Sequence, residues 1–184
     1  NPADAFKAEL NGHWAEKEIT ALINKGIVSG SDGKLNLLDN VTRAEFTKLV
    51  LSGIGAQPTE YRGTFNDVSG NDWYAGYMQT AADMGIIEGY EGSASPNQAI
   101  TREEAVKIMM TALATKQEVQ YEETELNFGD SDTISDWAKQ YVAKAVEMGL
   151  INGMEDNTFQ PEGNTLREQS MVMTYRLMEK LSLI

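Results

Sequence analysis

Four landmark residues recur in the same order three times along this chain of 184 residues, and that repetition limits the fold more than any other feature. Tryptophans stand at Trp14, Trp73 and Trp137, at intervals of 59 and 64. Twelve positions after each comes a glycine (Gly26, Gly85, Gly149), and four further on a second one (Gly30, Gly89, Gly153). An arginine closes each set, in V-T-R-A-E at 41–45, I-T-R-E-E at 100–104 and a blurred T-L-R-E-Q at 165–169. An aromatic precedes each tryptophan, Phe6 and Phe65 by eight residues and Phe128 by nine. These landmarks place repeats at 1–60, 61–123 and 124–184. Units this short bury only part of their apolar faces alone, so the three are expected to share a core.

Each repeat reads as two helices joined by a loop, an all-α pattern. Ala15, Ile19, Leu22 and Ile23 form one apolar helical face, as do Trp73, Tyr77, Met78 and Ala81 in the second repeat. Trp137, Tyr141, Val142, Ala145 and Val146 form it in the third. Asp72 and Asp136 stand where an N-cap acceptor belongs, and Gly26, Gly85 and Gly149 where a left-handed residue would end the helix. A loop rich in Gly, Asp, Asn and Ser follows, with Pro96 and Pro161 in two copies and Leu37 in the other.

The repeated pentapeptide then opens the second helix. Thr42 with Glu45, and Thr101 with Glu104, are capping boxes: the hydroxyl accepts from the third amide of the helix and the carboxylate reaches back to the threonine amide. Capping accounts for Thr and Glu but not for Arg, which the helix dipole disfavours at a first turn. A cation beside open helix-start amides would make an anion site; an arginine paired with a nearby carboxylate is the plainer alternative.

Bulk properties narrow the partners. The net charge of −13 repels nucleic acid and requires any anionic ligand to be held by a few focused cations. No apolar run is long enough for a membrane span, the absence of cysteine excludes disulfides and thiolate metal sites, and a start on Asn1 with no visible signal peptide suits a processed chain.

The second repeat, Phe65-Asn66-Asp67-Val68, Trp73, Gly85-Ile86-Ile87-Glu88-Gly89, Pro96 and Ile100-Thr101-Arg102-Glu103-Glu104, resembles the S-layer homology module, and the other two copies follow it along nearly the whole chain. The resemblance implies a pseudo-threefold, three-pronged all-α unit around a central helical bundle. It also implies a non-catalytic module, part of a larger extracellular surface protein of Gram-positive type. Its partner would be a peptidoglycan-linked secondary cell wall polymer, often pyruvylated, held in grooves between repeats without cofactor or metal. Carried over to matching positions, the groove arginines are Arg43, Arg102 and Arg167. A guanidinium can take a planar carboxylate in a two-point fork. Trp14, Trp73 and Trp137 either offer a face to a sugar ring or pack into the core, and Gly30, Gly89 and Gly153 allow positive φ or close approach of ligand to backbone.

Five departures from the motif bear on whether the sites are equal. Ala8 replaces the motif Asp and Leu37 the motif Pro in repeat one; Leu166 and Gln169 replace Thr and Glu in repeat three. Gly153 to Arg167 is 14 residues, against 13 in the other copies. Either Arg167 keeps its place with a weaker cap, or Thr165 and Glu168 start the helix one position early. On this reading Arg43 and Arg102 are the better-held cations. Among rival functions, a calcium site at Asp32-Gly33-Lys34 or Glu155-Asp156-Asn157 lacks the required ligand spacing, and a lone His13 with no nucleophile to serve argues against an enzyme. A protein–protein assembly module within a surface layer is the alternative to polymer binding.

Overall fold

The computed structural model describes residues 1–122 and 124–184. Among these residues, seven α-helices follow a short 3₁₀ turn at Pro2–Phe6: α1 (Lys7–Leu10), α2 (Glu16–Asn24), α3 (Arg43–Gly53), α4 (Ala75–Asp83), α5 (Arg102–Ala114), α6 (Asp136–Glu147) and α7 (Arg167–Lys180). A second 3₁₀ turn, Ser131–Thr133, precedes α6, and there is no β-strand among the described residues. The chain is all-α, two principal helices to a repeat.

The two helices of a repeat do not pack on each other. Helix α3 of repeat one packs on α4 of repeat two, α5 of repeat two on α6 of repeat three, and α7 of repeat three returns to α2 of repeat one. Helices α3, α5 and α7 also touch pairwise. Helix α3 meets α7 at Gly53, where a Cβ would lie 2.9 Å from Thr174 Cγ2. Two buried clusters result. One runs through α3 to α7 and holds Phe46, Met109, Leu113, Val142 and Leu177. The other seats Phe6, Ile19, Leu22 and Leu35 against Met171, Val172 and Tyr175 on the opposite face of α7. Much of the apolar area removed from water thus lies at junctions between repeats.

A ring of backbone bonds joins the segments that lead into these helices. Val41 N–H donates to Thr165 O at 2.9 Å, Thr165 N–H to Ile100 O at 3.0 Å, and Ile100 N–H to Val41 O at 3.0 Å. All three residues are buried, so these polar groups have few alternatives to one another. Thr165 stands where its counterparts are Val and Ile, and its hydroxyl is buried without a partner.

Several local expectations hold and two do not. Gly26, Gly85 and Gly149 end the first helices at positive φ, and both capping boxes form. Asp72 and Asp136 are not N-caps. Asp72 accepts from Ser69 N at 2.8 Å three residues before α4 begins, and Asp136 is itself the first residue of α6, paired with Lys139 at 2.6 Å. Helices α2 and α4 start at Glu16 and Ala75, after their tryptophans, and α6 at Asp136, just before Trp137; in all three Ala15, Ala75 and Ala138 take the buried places and the tryptophans point outward.

Candidate functional site

The arginines keep a common register. Arg43, Arg102 and Arg167 are each the first residue of their helix, so the extra residue of repeat three does not displace Arg167. It is absorbed upstream. Ser31 with Lys34, and Tyr90 with Ser93, close two-residue turns whose central residues, Asp32-Gly33 and Glu91-Gly92, all have positive φ. Met154 and Thr158 close the wider turn of repeat three around Glu155, Asp156 and Asn157. Leu166 has no oxygen to offer as a cap, but Gln169 still accepts from its amide at 3.0 Å, so half of the box survives.

The helix-start amides are not open to a ligand. Arg43 and Ala44 N–H donate to Gln98 O and Pro96 O, Arg102 and Glu103 to Gly163 O and Pro161 O, and Arg167 and Glu168 to Asp39 O and Leu37 O. Each helix start is therefore plugged by the loop of the following repeat in the cycle. The bond uses a carbonyl, which Leu37 supplies as well as proline does.

Among the described residues, two grooves each draw on all three repeats. The first, of about 360 Å³, takes Gly30, Glu45 and Lys48 from repeat one, Trp73 from repeat two and Arg167 from repeat three. The second, of about 660 Å³, takes Gly89, Glu104 and Lys107 from repeat two, Trp137 from repeat three and Arg43 from repeat one. Their arginines are already engaged. Arg43 Nε donates to Ala94 O at 3.0 Å and its Nη1 lies 3.1 Å from Glu104; Arg167 Nε donates to Leu35 O at 3.0 Å and its Nη1 lies 3.4 Å from Glu45. Each capping glutamate thus serves its own helix start with one oxygen and the preceding repeat's arginine with the other.

The remaining combination, Arg102 with Gly153 and Trp14, is built differently. The position that would supply its glutamate holds Gln169, and the position of Lys48 and Lys107 holds the buried Val172. Arg102 is only 8% exposed; it donates to Asn152 O and lies 5.1 Å over the Phe159 ring, while its Nε has no partner. Burial above all, and the nearby Arg176 charge, push its pKa down to about 10. Trp14 stacks beside His13, whose Nε2 is 3.0 Å from Glu168 and whose Nδ1 accepts from Ala15 N–H. Sequence reasoning ranked Arg102 above Arg167; the structure puts Arg167 in a groove and Arg102 in neither of the two.

The tryptophans are exposed, Trp14 by 61%, Trp73 by 57% and Trp137 by 45%, so core packing does not account for them. The second-position glycines have a local reason. Gly30 and Gly89 have positive φ, and a Cβ there would lie 2.7 Å from Lys34 O and 2.8 Å from the Phe6 ring, or 2.6 Å from Ser93 O and 2.9 Å from the Phe65 ring; at Gly153 the Phe128 ring would be closer still. What approaches the backbone is the aromatic that opens each repeat together with, in repeats one and two, a carbonyl of the adjoining turn. Nearby, Asp67 accepts from Ala94 and Ser95 amides, and Asp130 from Phe159 and Gln160 amides. Repeat one, with Ala8 at that position, uses Glu9 instead, accepting from Leu35 N at 3.1 Å.

Family comparison agrees with this repeat architecture. The S-layer homology domain model matches residues 10–47, 64–106 and 127–169. The chain belongs to the S-layer homology family. An amylopullulanase of Thermoanaerobacterium thermosulfurigenes is 39% identical to it over 94% of the chain, which spans 9% of that relative. The exoglucanase XynX of Acetivibrio thermocellus is 38% identical over 94% of the chain and 16% of its own length. A surface-layer 125 kDa protein of Lysinibacillus sphaericus is 29% identical over 96% of the chain and 16% of its length. The three S-layer homology repeats therefore correspond to a small part of each of these proteins. Lys48 and Lys107 were missed in the sequence although a signal was there, since each stands five residues after its repeat's arginine.

Proposed function

We propose that this module anchors a larger surface protein, without covalent linkage, to the outside of a bacterial wall. It does so by taking a pyruvylated, peptidoglycan-linked secondary cell wall polymer into the two grooves. The observation that carries this reading is the composition of the grooves: each joins an exposed tryptophan, a glycine turn, an arginine and a lysine from three different repeats, in a chain of net charge −13. An arginine and a lysine, set beside Glu45 in one cleft and beside Glu88 and Glu104 in the other, give local cationic donors on an otherwise acidic surface, which suits an anionic ligand with flat apolar faces, as a substituted sugar has. The relatives add support. Two are named for different hydrolytic activities and one for a surface layer, so the part they share with this chain is better read as attachment than as catalysis.

Arg43 and Arg167 are the groove arginines in this proposal, with Trp73 and Trp137 as walls; Arg102, Gly153 and Trp14 form a third place that binds weakly or not at all. Calorimetry with purified wall polymer, intact and with its pyruvyl ketals removed by mild acid, tests it. Binding of the intact polymer at two sites and loss of binding on removal of the ketals is the expected result. Equal binding of both forms would eliminate the acidic group as the feature recognised. A chain that binds neither form but associates with surface-layer protein would be an assembly module instead.

A further inference from the structure

The two grooves contain four cations, and the ion pairs divide them. Arg43 and Arg167 are each matched by a glutamate and each spend Nε on a backbone carbonyl. As guanidinium–carboxylate pairs they carry no net charge toward a ligand. Lys48 and Lys107 are different. Among the described residues no carboxylate lies within 4.0 Å of either ammonium. Each is held instead between two aromatic rings. Lys48 Nζ is 5.5 Å from the centre of Trp73 and 5.7 Å from that of Tyr77; Lys107 Nζ is 5.5 Å from Trp137 and 5.9 Å from Tyr141. Lysine and aromatics come from different repeats, so the contact crosses the groove.

That arrangement orients a cation without neutralising it. A ring face attracts the ammonium through its quadrupole, restricts a long flexible side chain, and leaves N–H donors free for an incoming acid. It also gives the tryptophans a use besides stacking on sugar, because part of each indole face is already committed to the lysine. The device is present where both grooves are open and missing from the third combination, where the equivalent residue is Val172. Glu88 also lines the second groove, so Lys107 works against more local negative charge than Lys48 does.

We propose that Lys48 and Lys107, poised on Trp73 with Tyr77 and on Trp137 with Tyr141, are the residues that directly read the acidic group of the ligand, while Arg43 and Arg167 are positioning residues that hold the groove walls together through Glu104 and Glu45. The assignment rests on the reading of the grooves as polymer sites. The test is calorimetry with pyruvylated wall-polymer fragments, on the whole chain, across a range of salt. Lys48→Met and Lys107→Met keep the length and apolar stem of the side chain at positions the fold leaves partly open to solvent. Each should weaken one groove by about tenfold or more, as loss of a charge-assisted contact requires, with unchanged thermal melting. Lys48→Arg and Lys107→Arg should stay within a few-fold of wild type, because guanidinium also sits on aromatic faces. Salt dependence separates the roles: either Lys→Met change should flatten it, whereas the double change Arg43→Met with Glu104→Gln, which removes no net charge, should weaken binding yet keep the slope. Wild-type binding accompanied by unaltered affinity in the Lys48→Met/Lys107→Met double variant would overturn the assignment and leave the anchoring proposal standing. A wild-type chain that binds no polymer at all would remove both.

Discussion

Arg43 and Arg102 open equivalent helices with nearly identical motifs, yet they end in opposite circumstances. Arg43 is partly exposed, paired with Glu104 and facing a groove. Arg102 is buried, has no carboxylate partner among the described residues, leaves Nε unbonded and lies over Phe159. The difference does not originate in either motif. It comes from the neighbour: the cap of repeat two ends in Glu104, whereas that of repeat three ends in Gln169, which performs the reach-back bond but carries no charge. In a cyclic assembly the environment of one repeat is written in the next. A base held below its ordinary range is also a charge that the fold disfavours. Arg102 subtracts from stability at every pH below about 10, and the deficit fades only above that value.

Removing a junction is the bluntest way to break this comparison. A chain ending near residue 116 loses α6 and α7, and with them the partners of α5 and α2 and the Thr165 corner of the backbone ring. Such a chain should lose most of its helical circular dichroism or aggregate, rather than melt as two intact repeats. A sharp native-like transition would show that the repeats are more independent than their packing implies.

Supplying the missing charge sharpens it. Gln169→Glu should stabilise the protein by about 1–2 kcal/mol at neutral pH, by giving Arg102 the kind of partner that Arg43 has. A guanidinium lowers the folded-state pKa of that new carboxylate, so the gain should be present above the ordinary glutamate range and vanish as pH falls through the lowered value. Denaturant melts at neutral and acidic pH would check both sign and window; equal stability at all pH would mean that residue 169 does not stand beside Arg102.

A smaller gain is expected at the ring. Thr165→Val swaps a buried, unpartnered hydroxyl for the methyl that Val41 already has, and should add up to about 1 kcal/mol in the same melts. Smallest in stability are Glu45→Gln and Glu104→Gln. Gln169 shows that the amide preserves the reach-back bond, so only a partly exposed ion pair is lost, about 0.5 kcal/mol. Breaking either ion pair should at the same time weaken binding of pyruvylated polymer, visible by calorimetry; tighter binding would mean that the glutamates matter more as brakes on charge than as wall supports.

Much of this was legible before any coordinates. The repeats, the all-α class, the two capping boxes and the positive-φ helix ends follow from local chemistry, because a hydroxyl three residues before a glutamate, or a glycine after an apolar stripe, acts within a single turn of chain. Even the register of Arg167 was stated as one of two alternatives, and the wider turn around Glu155–Asn157 selected between them. For the tryptophans the sequence left sugar stacking and core packing both open, because helical periodicity gives relative direction along a helix and not which face meets a neighbour; packing gives the buried places to Ala15, Ala75 and Ala138.

What no single repeat contains is its own surroundings. That helix-start amides are closed by Pro96, Pro161 and Leu37, that Glu104 answers Arg43, and that Lys107 rests on Trp137 all depend on residues tens of positions away, from the next repeat in the cycle. Short-range order is set by backbone geometry and nearby side chains, so the motif is enough to specify it. Charge, burial and open volume are properties of the space between segments, and that space exists only once α3, α5 and α7 have met.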